Sequence, residues 1–420
     1  MKAPATRYLI INAYSARNLG DAAINLATAA LLRKREAATV EISGRYHRHD
    51  ARFYSGYGIT VAPPAVPFAP PGDGSLPLRG LQLLCGTVWV TLLLIPLFVG
   101  LPDLSESLAR WSGSDGLLAL FAADVLVLAG GGYLFSGSRK LNASLIHCVA
   151  ITWIALATRK RVVMMPQSIG PLKGRFDRWI VRKTLARVHP IVAREQTTFA
   201  EVTELLHPTD MRLCPDVALY GWSAPVADMP RPTGRRRVGI VVMDWTWARG
   251  AGQRGLDRYC RELATLCTDL TGADVDVVLL GGSTLPELGQ DDMVVAREIA
   301  TLANVETGKT PALVEVSDPE SFRSLLPTLD LVVGTRLHSC LLALAGGVPA
   351  IGLGYQPKTR GTYELLGIQE LHHDVEEFTA AALGRQVSAI FANGSEWNDR
   401  VTHAAARARS QIEELYAELV

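Results

Sequence analysis

The sequence predicts an α/β protein with two doubly wound, Rossmann-like domains facing a cleft. Short continuous apolar runs alternate with helical patterns along almost the whole chain, which is the signature of parallel sheets covered on both faces. The chain has 420 residues, enough for two cores. A proline-rich interruption, SAPVADMPRPTGRR (Ser223–Arg236), divides the pattern in two.

The elements follow in order. YLIINAY (Tyr8–Tyr14) is a first strand, and SARNLG a loop. DAAINLATAALLRKR is a helix that Asp21 is placed to cap. DVLVLAGGG (Asp124–Gly132) is a buried strand ending in three glycines. A helix over ITWIALA, a basic turn and the strand RVVMMP come next, then a helix over Arg175–Arg187. The strand PIVA precedes a helix that starts at Arg194. Beyond the prolines a second series runs through VGIVVMDW, DVDVVLLGGS, a helix around Asp291–Leu302, LDLVVGTRLHS and VPAIGLGY. Ser395–Leu419 is a charged amphipathic helix. We therefore expect an N-terminal α/β domain over 1–222, a linker over 223–236, a C-terminal α/β domain over 237–375, and a helical segment over 376–420 packing back.

Composition excludes several classes. Hydrophobic residues make up 48% and charged residues 20%, a globular balance. The net charge of +1, with no basic run interleaved with aromatics, argues against nucleic acid as a partner. The six cysteines form no C-x-x-C pair, so neither a zinc site nor a redox pair is expected, and they read as buried free thiols. No metal is called for. MKAPATRYLIINAY lacks the apolar length and cleavage site of a signal peptide, so the body of the protein is expected in the cytoplasm.

LQLLCGTVWVTLLLIPLFVGL (Leu81–Leu101) does not fit the alternation. It carries no charge and is long enough to cross a bilayer. A single crossing would separate strands that should share one sheet, and Pro96 should break the helix. Two readings remain: a flap touching the inner face of the cell membrane, which we favour, or burial against the body.

The residues that carry chemistry gather where strands end. In GTRLHSCLLALAGGVPAIGLGYQPKTR (Gly334–Arg360), a helix begins near Thr335 directly after a strand. Its first-turn N–H groups and positive dipole end favour an anion. Arg336 and His338 are poor choices there for stability alone, costing roughly 0.3–1 kcal/mol each. An anion held between them removes the conflict, and this is the reading we favour; the alternative is that Arg336 pairs with an acid across the cleft and His338 is a hydrogen-bonded core residue. Arg336 suits a carboxylate or phosphate bidentately, His338 can bind or move a proton, and Thr335 and Ser339 add hydroxyls. Other strand ends carry Asn18, Gly20 and Asp21; Gly131 and Gly132 in AGGGYLF; Gln167 and Ser168; Arg194 and Glu195; Asp216; and Asp244. Open α/β sheets bind ligands at these ends. AGGGYLFSGS is not G-x-G-x-x-G, and no phosphate-binding G-x-x-x-x-G-K-[ST] loop occurs.

Taken together, NLGDAAI, AGGGYLF, QSIGPL, AREQTT, PDVAL and, most specifically, TRLHS…ALAGGVPAIGLGYQPKTRG resemble the polysaccharide pyruvyl transferases. They run in the family's order from Asn18 to Gly361. Ala22 stands where the family often has an acid, and Ser168 where it has glycine. The resemblance implies a fold similar to the B-type glycosyltransferases, with no cofactor and phosphoenolpyruvate as co-substrate. It implies a sugar diol of a polysaccharide, glycolipid or lipid-linked glycan as acceptor, and a cyclic pyruvate ketal and phosphate as products. It assigns donor binding to Arg336, His338, Arg194, Lys358 and Ser339, and catalysis to His338, Arg336 and Asp21. Acceptor binding falls to Asn18, Gly20, Asp21, Gly131, Gly132 and Gln167. Two rivals are a nucleotide-sugar glycosyltransferase of the same fold and a non-catalytic subunit of an envelope-glycan assembly.

Overall fold

Parallel sheets, two in the first half of the chain and one in the second, organise the computed structural model. It describes all residues except 1–4, 35–37, 67–75, 137–141, 222–233, 286–289, 308–309, 317 and 420, and no side chains for 76–84, 87, 247, 284–285, 290 and 305–307. Most of the expected linker, 223–236, therefore lies outside the described residues.

The chain divides into two compact units. The first comprises Met1–Ala16, Ile24–Val217 and Leu415–Val420, and the second Arg17–Ala23 and Ala218–Glu414. The first contains strands β1 (Thr6–Ala13), β2 (Ala38–Gly44), β3 (Thr60–Ala62), β4 (Val125–Leu128), β5 (Gly131–Ser136), β6 (Arg161–Met164), β7 (Gln167–Leu172), β8 (Ile191–Ala193) and β9 (Met211–Leu213). They form two parallel sheets, ordered β3-β2-β1-β4-β6 and β5-β7-β8-β9. The single strand expected over Asp124–Gly132 is thus two, parted at Ala129–Gly130, where β4 leaves one sheet and β5 enters the other. In the core of this unit Leu9, Ile11, Leu126 and Leu128 are buried with Leu145, Val149, Val181 and Ile191.

The second unit contains β10 (Arg237–Val242), β11 (Asp276–Gly281), a small antiparallel ladder of β12 (Thr284–Leu285) with β13 (Gln290–Asp291), β14 (Ala312–Glu315), β15 (Leu331–Gly334), β16 (Ala350–Gly354) and β17 (His372–Asp374). The main sheet is entirely parallel, ordered β14-β11-β10-β15-β16-β17. Counted within the sheet this is 3-2-1-4-5-6, the order of dinucleotide-binding Rossmann sheets. All four residues of β15 and all five of β16 are buried, as their unbroken apolar runs demand.

Several local expectations are corrected. Helix Leu19–Arg33 is capped by Asn18, not Asp21. Asn18 Oδ1 accepts from the N–H groups of Gly20 (3.0 Å) and Asp21 (3.4 Å), which leaves Asp21 inside the first turn. That turn, expected with the N-terminal domain, belongs to the second unit because Asn18 bridges Ser283 and Leu19 N donates to Gly282 O. Helix Leu76–Phe98 runs through Pro96. The proline sits in the last turn, and the neighbouring Leu97 N–H is satisfied by Ser105 Oγ at 2.8 Å, so the break costs little. The helix after β8 starts at Gln196 rather than Arg194. Five cysteines are buried, but Cys85 is exposed. Arg235 and Arg236 are spent on Asp274 (3.1 Å) and Asp330 (2.8 Å).

His147, on helix Ala143–Ala157 of the first unit, is buried, and its pKa is pushed down to about 3 by that burial and then by the Arg45 charge. The unfolded chain takes up this proton near pH 6.5 while the fold refuses it down to about 3. The stability it contributes is therefore present above pH 6.5 and lost as pH falls. We expect acid titration of thermal stability to show a slope of about 1.4 kcal/mol per pH unit from this group, removed in His147→Gln.

Candidate active site

In the second unit the site is assembled at the carboxyl ends of β11, β15 and β16. β15 ends at Gly334, and Arg336 is the N-cap residue of helix Leu337–Ala345, in an extended conformation that makes no side-chain cap. The guanidinium turns instead to Asp292, at the start of helix Asp292–Thr307. Arg336 Nη2 donates to Asp292 Oδ1 at 2.7 Å and Nε to Oδ2 at 2.5 Å. The Asp292 side chain is 2% exposed and that of Arg336 15%. Burial raises the Asp292 carboxyl above its usual range, opposed by Arg336 and by the N–H groups of Gly282 and Ser283. Burial would lower the Arg336 guanidinium, but Asp292, aided by Tyr355 and Asp21, outweighs it and holds it above its ordinary value. Nη1 is not used by this pair.

Asp292 also fixes the loop after β11. Its carboxylate accepts from Gly282 N at 3.1 Å, and its own N–H donates to Ser283 O at 3.2 Å. That loop holds Asn18 and Leu19 through the bridge and backbone bond already described. The turn then presents Gly20 to His338: a methyl group on Gly20 would lie 2.2 Å from His338 Nδ1. Glycine is required there because the imidazole occupies the space a side chain would need. Asp21 is within electrostatic reach of Arg336. The structure thus brings together Asn18, Gly20, Asp21, Arg336, His338 and Ser339.

Three hydroxyls at these strand ends are buried and, among the described residues, have no hydrogen-bond partner: Ser283 Oγ after β11, Ser339 Oγ in the helix after β15, and Thr359 Oγ1 in the helix after β16. Each residue is 1% exposed. Ser339 Oγ and Arg336 Cδ converge over Gly282, each 3.5 Å from where its Cβ would stand. Buried hydroxyls without partners cost free energy, which a bound acceptor of hydrogen bonds would remove. Thr335 differs, because its hydroxyl is engaged by Tyr259 Oη at 2.7 Å. Lys358 lies half-buried in the first turn of helix Pro357–Leu366, next to Thr359. Asp244 is absorbed in capping Thr246, from N at 2.9 Å and from Oγ1 at 2.6 Å.

The remaining candidates lie in the first unit. Arg194 has a fully buried side chain, with Nη1 on Asp216 Oδ2 at 2.5 Å, Nε on Ser168 Oγ at 2.6 Å, and Glu195 Oε2 at 3.3 Å from Nε. One cation is thus enclosed by two carboxylates. Gly132 packs on this cluster, its Cβ position 3.6 Å from Arg194 Nη2. Gly131, at φ 118°, makes the turn into β5 and donates to Pro166 O. Gln167 is fully buried and donates to Ala129 O and to Tyr133 Oη, the latter at 3.1 Å. Among the described residues no cluster of His, Cys, Asp or Glu could hold a metal ion.

Sequence reasoning missed Asp292, Ser283 and Tyr355. The signal for Asp292 was an acid at a helix start just past a Gly-Gly-Ser strand end.

A parallel 3-2-1-4-5-6 sheet in the second unit and a parallel, doubly wound first unit define two Rossmann-like domains, the fold of B-type glycosyltransferases and sugar-nucleotide epimerases. Solved structures agree. UDP-GlcNAc 2-epimerase from Neisseria meningitidis, bound to UDP-GlcNAc, aligns over 99% of this chain and 99% of its own, with TM-score 0.59 and 11% identity. HepE of Anabaena, in complex with UDP and glucose, aligns over 98% of each chain with TM-score 0.57 and 14% identity. At such identities the likeness is one of fold. Within that fold the family model for polysaccharide pyruvyl transferase matches residues 18–357, and the chain belongs to that family. The amylovoran biosynthesis protein AmsJ of Erwinia amylovora is 25% identical over 280 residues, covering 61% of this chain and 64% of that protein's length.

Asp292→Asn strips Arg336 of its buried counter-charge, and we expect a loss of about 3 kcal/mol in urea unfolding. Gly20→Ala should preserve the fold but displace the His338 imidazole, seen as a shift of its ring resonances in NMR. Unshifted resonances would remove the close packing inferred here.

Proposed function

We propose that this protein transfers the enolpyruvyl group of phosphoenolpyruvate to a sugar diol of a glycan, free or lipid-carried, forming a cyclic pyruvate ketal and releasing phosphate. One observation carries the reading. Arg336 and His338 stand at a helix N-terminus within the residues that the family model matches, and Ser339 there, like Ser283 and Thr359 at the neighbouring strand ends, carries a buried hydroxyl with no hydrogen-bond partner among the described residues. The Asp292–Arg336 pair is neutral as a unit. With the charges of that pair cancelled, the unfilled helix N-terminus would favour a ligand bearing both a carboxylate and a phosphate.

The chemistry asks for a proton on the methylene carbon, attack of one sugar hydroxyl on the adjacent carbon, loss of phosphate, and ring closure by the second hydroxyl. The two hydroxyl protons replace the one delivered to carbon and the one taken by phosphate. Arg336 Nη1 and the hydroxyls of Ser339, Ser283 and Thr359 would bind donor oxygens. His338 would move a proton, with Asp21 on the acceptor side. Arg194 would act by holding the β5–β7–β8 strand ends through Asp216 and Glu195, supporting Gly131, Gly132 and Gln167 as acceptor contacts.

Calorimetry against phosphoenolpyruvate and UDP tests this. We expect phosphoenolpyruvate to bind, and Arg336→Ala and His338→Ala each to weaken binding at least about tenfold, the value of one charge-assisted hydrogen bond. Arg336→Ala also strands the Asp292 carboxylate, so His338→Ala separates loss of the ligand from loss of the fold. Binding of UDP in place of phosphoenolpyruvate would make this a nucleotide-sugar enzyme.

A further inference from the structure

Helix Leu76–Phe98 is apolar on two faces that meet different surroundings. Val90, Leu93, Leu94 and Leu97 enter the core of the first unit. Val88, Trp89, Leu92, Ile95 and Val99 recur at spacings of one to four residues on the other side and stay 45–68% exposed. Helix Pro102–Ser112 extends this surface with Leu104 and with Trp111, which is 76% exposed and has its ring 6.2 Å from that of Trp89. A contiguous apolar surface of this kind marks an interaction site.

The rim of this surface is cationic. A groove of about 530 Å³ lies between the end of the helix and helix Ala143–Ala157, lined by Leu97, Phe98, Val99 and Trp153, with Arg159 and Arg187 at its edge. The Arg187 guanidinium stacks 4.5 Å from the Trp153 ring centroid, and Arg159 reaches Gly100 at the helix end. Among the described residues neither arginine meets a carboxylate. Arg187 continues a stripe through Phe176, Trp179 and Lys183 at three- and four-residue spacing, and both aromatics are exposed. Asp103 and Glu106 lie on the neighbouring helix, where Glu106 is already paired with Arg110. Among the described residues no helix is long and apolar enough to cross a membrane.

We propose that this face of the first unit docks on an anionic lipid bilayer, its aliphatic and tryptophan side chains entering the interface and Arg159 and Arg187 holding a lipid phosphate at the groove. Charge complementarity selects this occupant: exposed apolar side chains bordered by unpaired guanidiniums match an acyl boundary beneath anionic headgroups. The inference concerns where the protein works and is independent of the donor reading.

Flotation of the full chain with phosphatidylcholine vesicles, with and without phosphatidylglycerol, tests it. The protein should float with the anionic vesicles. Leu92→Glu with Ile95→Glu, both at exposed positions, should abolish flotation, while phosphoenolpyruvate titration stays as in wild type. Arg159→Glu with Arg187→Glu should cut the preference for anionic over neutral vesicles by roughly tenfold or more. Wild type that stays down with both vesicle types, or glutamate variants that float equally, overturns the proposal. A concentration-dependent dimer dissolved by Ile95→Glu, without flotation, assigns the face to a second copy instead. Inorganic phosphate bound in calorimetry and lost in Arg187→Glu, again without flotation, assigns the groove to a soluble phosphate and overturns it equally.

Discussion

The pair between Asp292 and Arg336 is the constraint on which the site in the second unit depends. An arginine at the start of a helix sits in an unfavourable field, and burial adds a desolvation cost. Asp292 offsets both, and it does so from the loop that carries Gly282 and Ser283. The same loop grips Asn18 and Leu19, and that turn lays Gly20 under His338. One carboxylate therefore sets three segments distant in sequence against each other. Buried pairs of this kind rarely add net stability over an apolar substitute. The use of this one is positional: it aims one guanidinium edge and commits the other.

Two arginines at strand ends have opposite fates, and charge balance explains why. Arg194 is enclosed by Asp216 and Glu195, so its surroundings already exceed its charge, and its side chain reaches no surface. Adding an anion there would place a third negative group in a dry site. Arg336 hydrogen-bonds one carboxylate, Asp292, and keeps some exposure at a helix N-terminus. An incoming anion would meet a guanidinium edge and a helix N-terminus in the second case, and an excess of negative charge in the first.

The alternation of apolar runs and helices was legible because a parallel sheet buries both faces of its strands, so β1, β4, β10, β11, β15 and β16 announce themselves. Arg336 and His338 stood out as candidates for the opposite reason: they contradict the local field, a conflict that Asp292 meets in the case of Arg336. The partner of Arg336 was hidden, since nothing local links positions 292 and 336. Capping by Asn18 was missed because Asn18 and Asp21 are equally good caps, and only the backbone path decides between them. Pro96 misled because a proline in the last turn costs few helical bonds, and the N–H of the next residue, Leu97, is taken up by Ser105 Oγ from another helix.

The helix around Pro96 also shows what periodicity cannot express. A helix apolar on all sides reads as buried or membrane-bound, and its sequence alone cannot divide the two. Here the fold divides them along its length. Val90, Leu93, Leu94 and Leu97 complete the core of the first unit and would be kept for stability in any setting. Nothing in that core asks for Val88, Leu92, Ile95 or Val99 to be apolar as well, and each exposes about half its surface or more. Glutamate, lysine or glutamine would serve the helix equally and keep the surface soluble. Exposed apolar side chains of this kind, gathered on one face and edged by arginines that meet no carboxylate among the described residues, are what the docking proposal accounts for.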